Sequence, residues 1–326
     1  LAGTTVISEI PGRIETSLYP PLLFVGAAMM LIGFGFKIAT APFHVWTPDV
    51  YEGAPTPVTA FMAAGPKAAG FAAFMRVFLF AFPFVAATAG AGGIESQLHT
   101  AWVQALAVLA AITMTVGNVV AIVQSNVKRM LAYSSIAHAG YALVGFVAAG
   151  ATGDLAEQGN AVAAVVFYLL CYSVMNIGAF AVVTLVARGG DRRTEIEDYN
   201  GIGFRSPALA FALSLFLLSM LGVPLTAGFM GKVVVFREAL NREGLVWLVV
   251  VGVLNTAVSV YYYLRLIVVM FFRERTTEWS APRIPASIGV ALVLTVIGTL
   301  YLGIFPGRVI DAFRGGEPPP TVGRLK

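Results

Sequence analysis

Three lysines lie inside long apolar stretches of the sequence, where a positive charge is costly. Lys37, Lys67 and Lys232 are three of only five lysines in the chain. At the centre of a bilayer, each such charge costs about 2.5–3.5 kcal/mol on insertion scales. Removal from water favours the neutral amine, so a buried lysine can bind and release a proton near neutral pH. The three positions therefore predict a proton relay.

The composition of the chain places these lysines in a lipid bilayer. Hydrophobic residues make up 58% of the 326 residues, and charged residues make up 12%. Soluble domains carry about 25% charged residues. The net charge of +4 is spread over short loops, so a nucleic-acid partner is not expected.

Snorkelling, in which a lysine reaches back to the membrane surface, is the alternative to a relay. It is open to Lys37 only if its helix ends near Thr40. It fits Lys67 poorly, because apolar sequence continues for a long way on both sides of this residue. Lys67 is therefore the candidate for the central group.

Partners for these lysines are scarce within the chain. None of the apolar segments has an acidic residue in its interior, and Glu238 lies at a segment end. We expect the counter-charge to come from upstream sequence or from a neighbouring subunit. The neutral candidates for lining a water wire are His44, His138, Tyr168, Tyr172 and Asn176; for the tyrosines and the asparagine, ordinary polar packing is an equal alternative.

The elements that must position these residues are transmembrane helices. Crossing the hydrocarbon core takes roughly 20 apolar helical residues. Charges and Pro/Gly clusters divide the chain into eight such segments, at 20–50, 57–84, 102–124, 130–149, 161–187, 207–240, 245–272 and 285–305. The prediction is one all-α, polytopic transmembrane domain over 1–326, with a disordered tail at 314–326. Because the sequence begins on Leu1 rather than methionine, upstream helices are expected to be missing.

Two of the segments are too long for a single straight crossing. Thirty or more helical residues would measure about 45–50 Å. Each long segment contains a proline near a lysine, Pro42 in the first and Pro224 in the sixth. We therefore expect helix breaks near 40–42 and 223–227. Paired breaks point to an ion pathway, whereas a single proline kink would be unremarkable in a membrane helix.

The basic residues predict the orientation of the bundle. They concentrate in the loops after the first, third, fifth and seventh segments, and the positive-inside rule makes those loops cytoplasmic. The residues are Lys128, Arg129, Arg188, Arg192, Arg193, Arg205, Arg273, Arg275 and Arg283. Basic residues in the C-terminal tail fall on the other side and weaken the pattern. Lys128 and Arg129 are interpreted as membrane-surface anchors.

Other chemistry finds little support in the sequence. Cys171 is the single cysteine, so the chain alone cannot form a disulfide or hold an iron–sulfur cluster. His44, His99 and His138 are too scattered for a metal site. The glycine pairs lack the third glycine and the strand–turn–helix setting of a dinucleotide fingerprint.

Four motifs, in order along the chain, carry a resemblance to a known family. They are FKIATAPFHVWTPDVYEGAPTPVTAF, AAGPKAAGFAAFMRVF, QSNVKRMLAYSSIAHAGY and GVPLTAGFMGK. Together they resemble the antiporter-like membrane subunits of respiratory complex I, the N-type branch more than the L-type or M-type. The L-type has histidines and a lysine where this chain has Tyr168, Tyr172 and Asn176.

The resemblance implies a fold and a role. The chain would be helices seven to fourteen of a fourteen-helix subunit with inverted-repeat architecture, in a bacterial cytoplasmic membrane. Lys37, Lys67 and Lys232 match the family's proton-channel lysines, and the family's key glutamate would precede Leu1. The chain would be a non-redox subunit without a cofactor, and FMN, iron–sulfur clusters and quinone would lie in partner subunits. Its direct partners would be the lipid bilayer and other membrane-arm subunits, including neighbouring antiporter-like ones.

Two other functions remain open from the sequence. One is a subunit of an Mrp-type cation/proton antiporter, since such subunits share these motifs. The other is a structural spacer, which the insertion cost of three intramembrane lysines disfavours.

Overall fold

The computed structural model describes residues 3–14, 20–82, 94–187, 191, 193–274 and 283–314. Over these residues the chain is almost entirely helical and has no β-strand. The all-α class predicted from the sequence is confirmed. The α-helices are α1 (Ile10–Ile14), α2 (Pro20–Ile38), α3 (Thr47–Gly53), α4 (Thr56–Ala81), α5 (Ile94–Ile122), α6 (Val127–Gly150), α7 (Leu155–Ala187), α8 (Ile202–Arg205), α9 (Pro207–Leu221), α10 (Ala227–Leu240), α11 (Val246–Phe272), α12 (Ala286–Ile304) and α13 (Pro306–Arg314).

Seven of the described helices are long and apolar enough to cross a membrane: α2, α4, α5, α6, α7, α11 and α12. The eighth crossing is divided. Helix α9 is apolar but has only 15 residues, and after a short break the chain continues as α10. The described helices therefore agree with the prediction of about eight crossings.

Two helices begin earlier than hydrophobicity alone predicted. Helix α5 starts at Ile94 rather than near Trp102, and α7 starts at Leu155 rather than near Ala161. The side chain of Asp154 explains the start of α7, because its carboxylate accepts the backbone N–H groups of Ala156 and Glu157 at 2.7 and 3.1 Å. A capping residue fixes a helix start independently of the apolar stretch that follows.

Helix α6 forms the centre of the bundle. In its most apolar stretch 94% of the residues are buried, against 22% for α2, which lies at the periphery. Small residues let α5 approach it closely. A Cβ atom on Gly117 of α5 would lie 2.5 Å from the backbone nitrogen of Ala137, and one on Gly140 of α6 would lie 2.6 Å from the Met114 side chain. Such close backbone approach is typical of membrane helix pairs.

Polar contacts tie the helix ends together at both ends of the bundle. At one end Lys128 pairs with Asp191 at 2.9 Å, and Asp191 accepts the Thr56 backbone N–H. These three residues belong to the loops after the third, fifth and first predicted segments, which places those loops on one side, as alternating crossings require. At the opposite end Arg242 donates to the Ala148 carbonyl at 3.2 Å and pairs with Glu157.

The interpretation of Lys128 as a membrane-surface anchor is wrong. Its side chain is fully buried, because its ammonium group is enclosed by Asp191 and by the backbone carbonyl of Ala54. Arg129 is partly exposed and pairs with Asp49 and Glu52 of α3.

The last described helix, α13, extends past the final predicted crossing and ends at Arg314. The predicted tail was placed at 314–326. Arg314 is therefore helical, and the rest of that tail lies outside the described residues.

Candidate functional site

The first helix break follows Lys37 directly. Helix α2 ends at Ile38, and Ala39 takes a left-handed backbone conformation with φ 64°. The backbone groups released by the break find new partners. The Ala41 N–H donates to the Thr113 hydroxyl of α5 at 3.1 Å, and the Trp46 indole donates to the Phe36 carbonyl at 3.1 Å. Non-helical backbone inside a membrane protein requires such compensation, and here it stabilises the turn that contains Pro42.

The second break lies between α9 and α10 and contains Pro224. Helix α9 ends in a left-handed Gly222 with φ 100°, a conformation that glycine adopts without steric cost. The carbonyls of Met220 and Leu221 have no helical partner there, and the Lys232 ammonium donates to both, at 3.1 and 3.0 Å. A cation at the carboxyl end of a helix also interacts favourably with the helix dipole. The backbone carbonyls exposed by the break therefore bind the Lys232 ammonium group.

Lys67 lies on α4 against the central helix. Its side chain is buried, and its ammonium donates to the Ser135 carbonyl of α6 at 2.7 Å and to the Ser135 hydroxyl. It also stands over the ring of Tyr172, 5.5 Å from the centroid. Pro66, immediately before it, interrupts the α4 hydrogen-bond ladder. Among the described residues no carboxylate lies within ion-pair distance of Lys67 or Lys232.

His138 of α6 is the polar centre of the bundle. Its Nδ1 lies 2.6 Å from the Tyr168 hydroxyl, and its Nε2 lies 3.3 Å from the Tyr263 hydroxyl. In a neutral imidazole one ring nitrogen donates and the other accepts. A proton can thus enter at one side of the ring and leave from the other, while both tyrosines reverse their hydroxyl orientation.

A series of ring contacts connects Lys67 and Lys232 to the histidine, and this series is called the central line below. The His138 ring is 5.0 Å from the Tyr172 ring, on the side of Lys67. The His138 ring is also 5.7 Å from the Tyr141 ring, and the Lys232 ammonium lies 4.7 Å from the Tyr141 ring. The order is therefore Lys67, Tyr172, His138, Tyr141, Lys232. Aromatic faces stabilise an adjacent ammonium ion by cation–π attraction.

Three predicted lining groups have unpartnered polar atoms, and the first is Nδ1 of His44. The Tyr172 hydroxyl and the Asn176 amide nitrogen are buried and have no hydrogen-bond partner among the described residues. Buried polar atoms are nearly always satisfied by protein or by ordered water. Both side chains lie on α7, one turn apart, so they mark a polar stripe along this helix.

Lys37 and His44 lie apart from the central line. The Lys37 side chain is exposed on the surface of α2, with its aliphatic stem against Gly70 of α4, one turn beyond Lys67. His44 follows the first break, is half-buried, and meets the edge of the Tyr133 ring. The described residues place no acidic group at Lys37.

Sequence reasoning missed three residues of the site: Ser135, Tyr141 and Tyr263. Ser135 and Tyr141 belong to the motif AYSSIAHAGY, whose polar side chains recur inside an apolar stretch and were a usable signal. Tyr263 lies in a run of three tyrosines on α11, where only packing decides which hydroxyl turns inward. The described residues contain no group of three or more His, Cys, Asp or Glu side chains that could hold a metal ion.

A helix that ends directly after Lys37, a crossing divided beside Pro224 and two buried lysines near His138 match the antiporter-like membrane subunits that the sequence motifs resemble. The family model described as NADH:quinone oxidoreductase/Mrp antiporter, transmembrane, matches residues 1–259. The chain belongs to this family.

Individual relatives narrow the similarity. NADH-quinone oxidoreductase subunit N of Trichlorobacter lovleyi is 47% identical over 95% of the chain and 60% of its own length. A chain of respiratory complex I from Thermus thermophilus with bound aureothin is 38% identical, with TM-score 0.73, over 90% of this chain and 60% of that one. The predicted resemblance to the N-type branch is confirmed.

A chain of the Mrp complex from Dietzia is 18% identical with TM-score 0.78, over 96% of this chain and 61% of that one. At that identity the match shows a shared fold alone. The chain spans about 60% of the length of the curated relative that it matches. Its assignment to helices seven to fourteen therefore stays a prediction.

Proposed function

We propose that this chain conducts protons across a bacterial cytoplasmic membrane as a membrane-arm subunit of an NADH-quinone oxidoreductase. The observation that carries the proposal is the line of protonatable side chains from Lys67 through His138 to Lys232 inside an apolar bundle. An unprotonated lysine can take a proton, and a histidine can pass one on through its two ring nitrogens. The similarity to relatives named subunit N supports the assembly.

Each residue has a distinct role in the proposed relay. Lys67 is the central group, because it is buried between α4 and α6 and its ammonium donates to the Ser135 carbonyl. Lys232 is the exit-side group, stabilised as an ammonium by the carbonyls at the end of α9. Lys37 is the group that pairs with an acid outside this sequence, since its side chain is exposed and the described residues place no acidic group beside it.

Charge repulsion supplies the driving step. Two ammonium groups in one low-dielectric compartment repel each other much more strongly than in water. A change in the ionic partner of Lys37 alters the proton affinity of Lys67, and the proton then moves through His138 towards Lys232. Water molecules must bridge both gaps, because no hydrogen bond among the described residues joins His138 to either lysine. The redox chemistry that starts this sequence takes place in partner subunits that hold FMN, iron–sulfur clusters and quinone.

Cation/proton exchange of the Mrp type is the alternative function. The side chains of the central line favour protons over alkali cations as the transported ion. Lys67 and Lys232 present N–H groups, whereas an alkali cation requires a cluster of oxygen ligands. Copurification decides the assembly, because NADH dehydrogenase subunits would support complex I and a sodium-dependent exchange assembly would contradict it.

His138→Phe tests the relay directly. Phenylalanine preserves the ring packing against Tyr172 and Tyr141 but has no proton-carrying nitrogen. In vesicles containing the assembled complex, we expect fewer protons transported per NADH oxidised, with proton transfer through this chain reduced by about 10²-fold. The pH gradient is recorded together with NADH oxidation.

Ser173→Ala is the matched control, because the Ser173 hydroxyl bonds to the Leu169 carbonyl of its own helix at 2.7 Å. It should pump like the wild type. Normal pumping in His138→Phe would remove this residue from the path.

A further inference from the structure

One carboxylate, that of Asp191, joins the starts of the two helices that carry Lys67 and Ser135. Its oxygens accept the Thr56 backbone N–H at 3.0 Å, the Thr56 hydroxyl at 2.8 Å and the Lys128 ammonium at 2.9 Å. Thr56 is the first residue of α4, and Lys128 is the second residue of α6. The contact therefore links α4 to α6 through a loop that belongs to neither.

Asp191 supplies a cap that α4 lacks in its own sequence. The residue before α4 is Pro55, which has no side-chain acceptor and makes no capping hydrogen bond. A carboxylate at the amino end of a helix satisfies a free N–H and interacts favourably with the helix dipole. Partial burial raises the pKa of Asp191, but the hydrogen bonds from Lys128 and Thr56 outweigh this and hold the pKa below its usual range.

Lys128 is fixed on the other side of this contact. Its side chain is fully buried, and its ammonium donates to the Ala54 carbonyl at 2.6 Å as well as to Asp191. The amino end of α6 has its own cap in Asn126, which accepts the Lys128 N–H at 2.9 Å. Lys128 therefore contributes to tertiary contacts rather than to the cap of its own helix.

The relay contact lies a short distance inside the same two helices. At 1.5 Å per residue, Lys67 is about 16 Å along α4 from Thr56, and Ser135 is about 10 Å along α6 from Lys128. An axial shift of the amino end of α4 moves the turns that follow it up to Pro66, which immediately precedes Lys67. Sliding α4 against α6 would separate the Lys67 ammonium from the Ser135 carbonyl.

We propose that Asp191 and Lys128 are positioning residues for proton transfer: their ion pair fixes the axial register of α4 against α6 and thereby holds Lys67 on Ser135. This inference rests on the proposed function. It gives Asp191, which lies between α7 and α8 and outside the relay, an indirect role in proton transfer.

The test compares Asp191→Asn with Asp191→Asn combined with Lys128→Met, in the whole complex reconstituted in vesicles. The single variant leaves a buried ammonium without its counter-charge, whereas the double variant leaves no unpaired charge and keeps an amide acceptor for Thr56. Protons per NADH are recorded as a function of pH, and NADH oxidation is recorded with an uncoupler. We expect both variants to oxidise NADH normally when uncoupled, to pump several-fold less, and to show a shifted pH profile for pumping.

Arg129→Gln is the matched control. It removes a neighbouring charge from α6 and breaks the ion pairs with Asp49 and Glu52. These two residues belong to α3, so the contact between α4 and α6 is left intact. It should keep the wild-type pumping ratio and pH profile.

Three results would overturn the positioning role. Wild-type pumping and pH profile in the double variant would show that only the unpaired charge mattered. Equal impairment in Arg129→Gln would make the effect nonspecific. Failure of both Asp191 variants to assemble would make the pair a folding determinant. Lys67→Ala is measured in parallel: normal pumping there removes Lys67 from the proposed relay, whereas its impairment beside normal Asp191 variants contradicts only the positioning role.

Discussion

Lys67→Ala should abolish proton transport through this chain while the complex still assembles. Loss of a positioned proton-transfer group typically costs about 10²–10⁴-fold in rate. The effect on stability should be small. Leaving the Ser135 hydroxyl without its partner costs about 1–3 kcal/mol, and removing an intramembrane lysine recovers about 2.5–3.5 kcal/mol. The measurement is the pH gradient per NADH oxidised in vesicles, with assembly checked by native electrophoresis.

Lys67→Arg separates charge from proton transfer. An arginine would retain a positive charge near the Ser135 carbonyl and the Tyr172 ring, but it stays protonated and cannot release its proton. It should therefore fail to restore pumping. Arg76→Gln is the control. Arg76 is exposed, and its substitution removes a basic charge from the same helix without changing Lys67 or its contacts with Ser135 and Tyr172. Wild-type pumping in Lys67→Ala would make Lys67 a structural residue and leave the relay to Lys37 and Lys232.

Gly228→Ala should strongly destabilise the second helix break. A Cβ atom at this position would lie 1.9 Å from the Ser219 carbonyl oxygen and 2.7 Å from the Ser219 carbonyl carbon. Because the clash is with backbone, it cannot be relieved by a side-chain rotation. Overpacking of this kind costs about 1–3 kcal/mol, occasionally more. The expected results are a lower apparent Tm of the purified complex and a smaller amount of this subunit in it.

The clash also predicts a functional consequence. Moving α10 away from α9 would pull the Lys232 ammonium from the Met220 and Leu221 carbonyls, so any assembled Gly228→Ala complex should pump poorly. Gly159→Ala is the matched control, because a Cβ atom there meets nothing within 4 Å and α7 is helical at that position. An unchanged Tm in Gly228→Ala would contradict the close approach of α10 to α9.

The helix breaks were predicted from the length of the apolar segments and from the positions of proline and glycine within them. A stretch of more than thirty apolar residues is too long for one crossing of a hydrocarbon core of about 30 Å, even if the helix is tilted by about 20°. A proline near glycines then indicates where the helix is interrupted. In the structure, α2 ends at Ile38 and is by itself long enough to cross the membrane, whereas the crossing that contains Pro224 is divided after α9 at Gly222. Helix starts were predicted less well, because α7 begins at an aspartate cap rather than at the edge of its apolar stretch.

The sequence by itself determined the solvent and the helical class and predicted the residues proposed to carry a proton, because these follow from composition and from the cost of charge in a bilayer. Only the tertiary structure decided which of them meet. It placed His138 between Lys67 and Lys232, left Lys37 on the outer face of α2, and buried Lys128 against Asp191. The physical reason is that apolar helices present no strong pattern for pairing: α6 is buried on almost all sides, so packing of whole helices determines which polar side chains come within hydrogen-bonding distance.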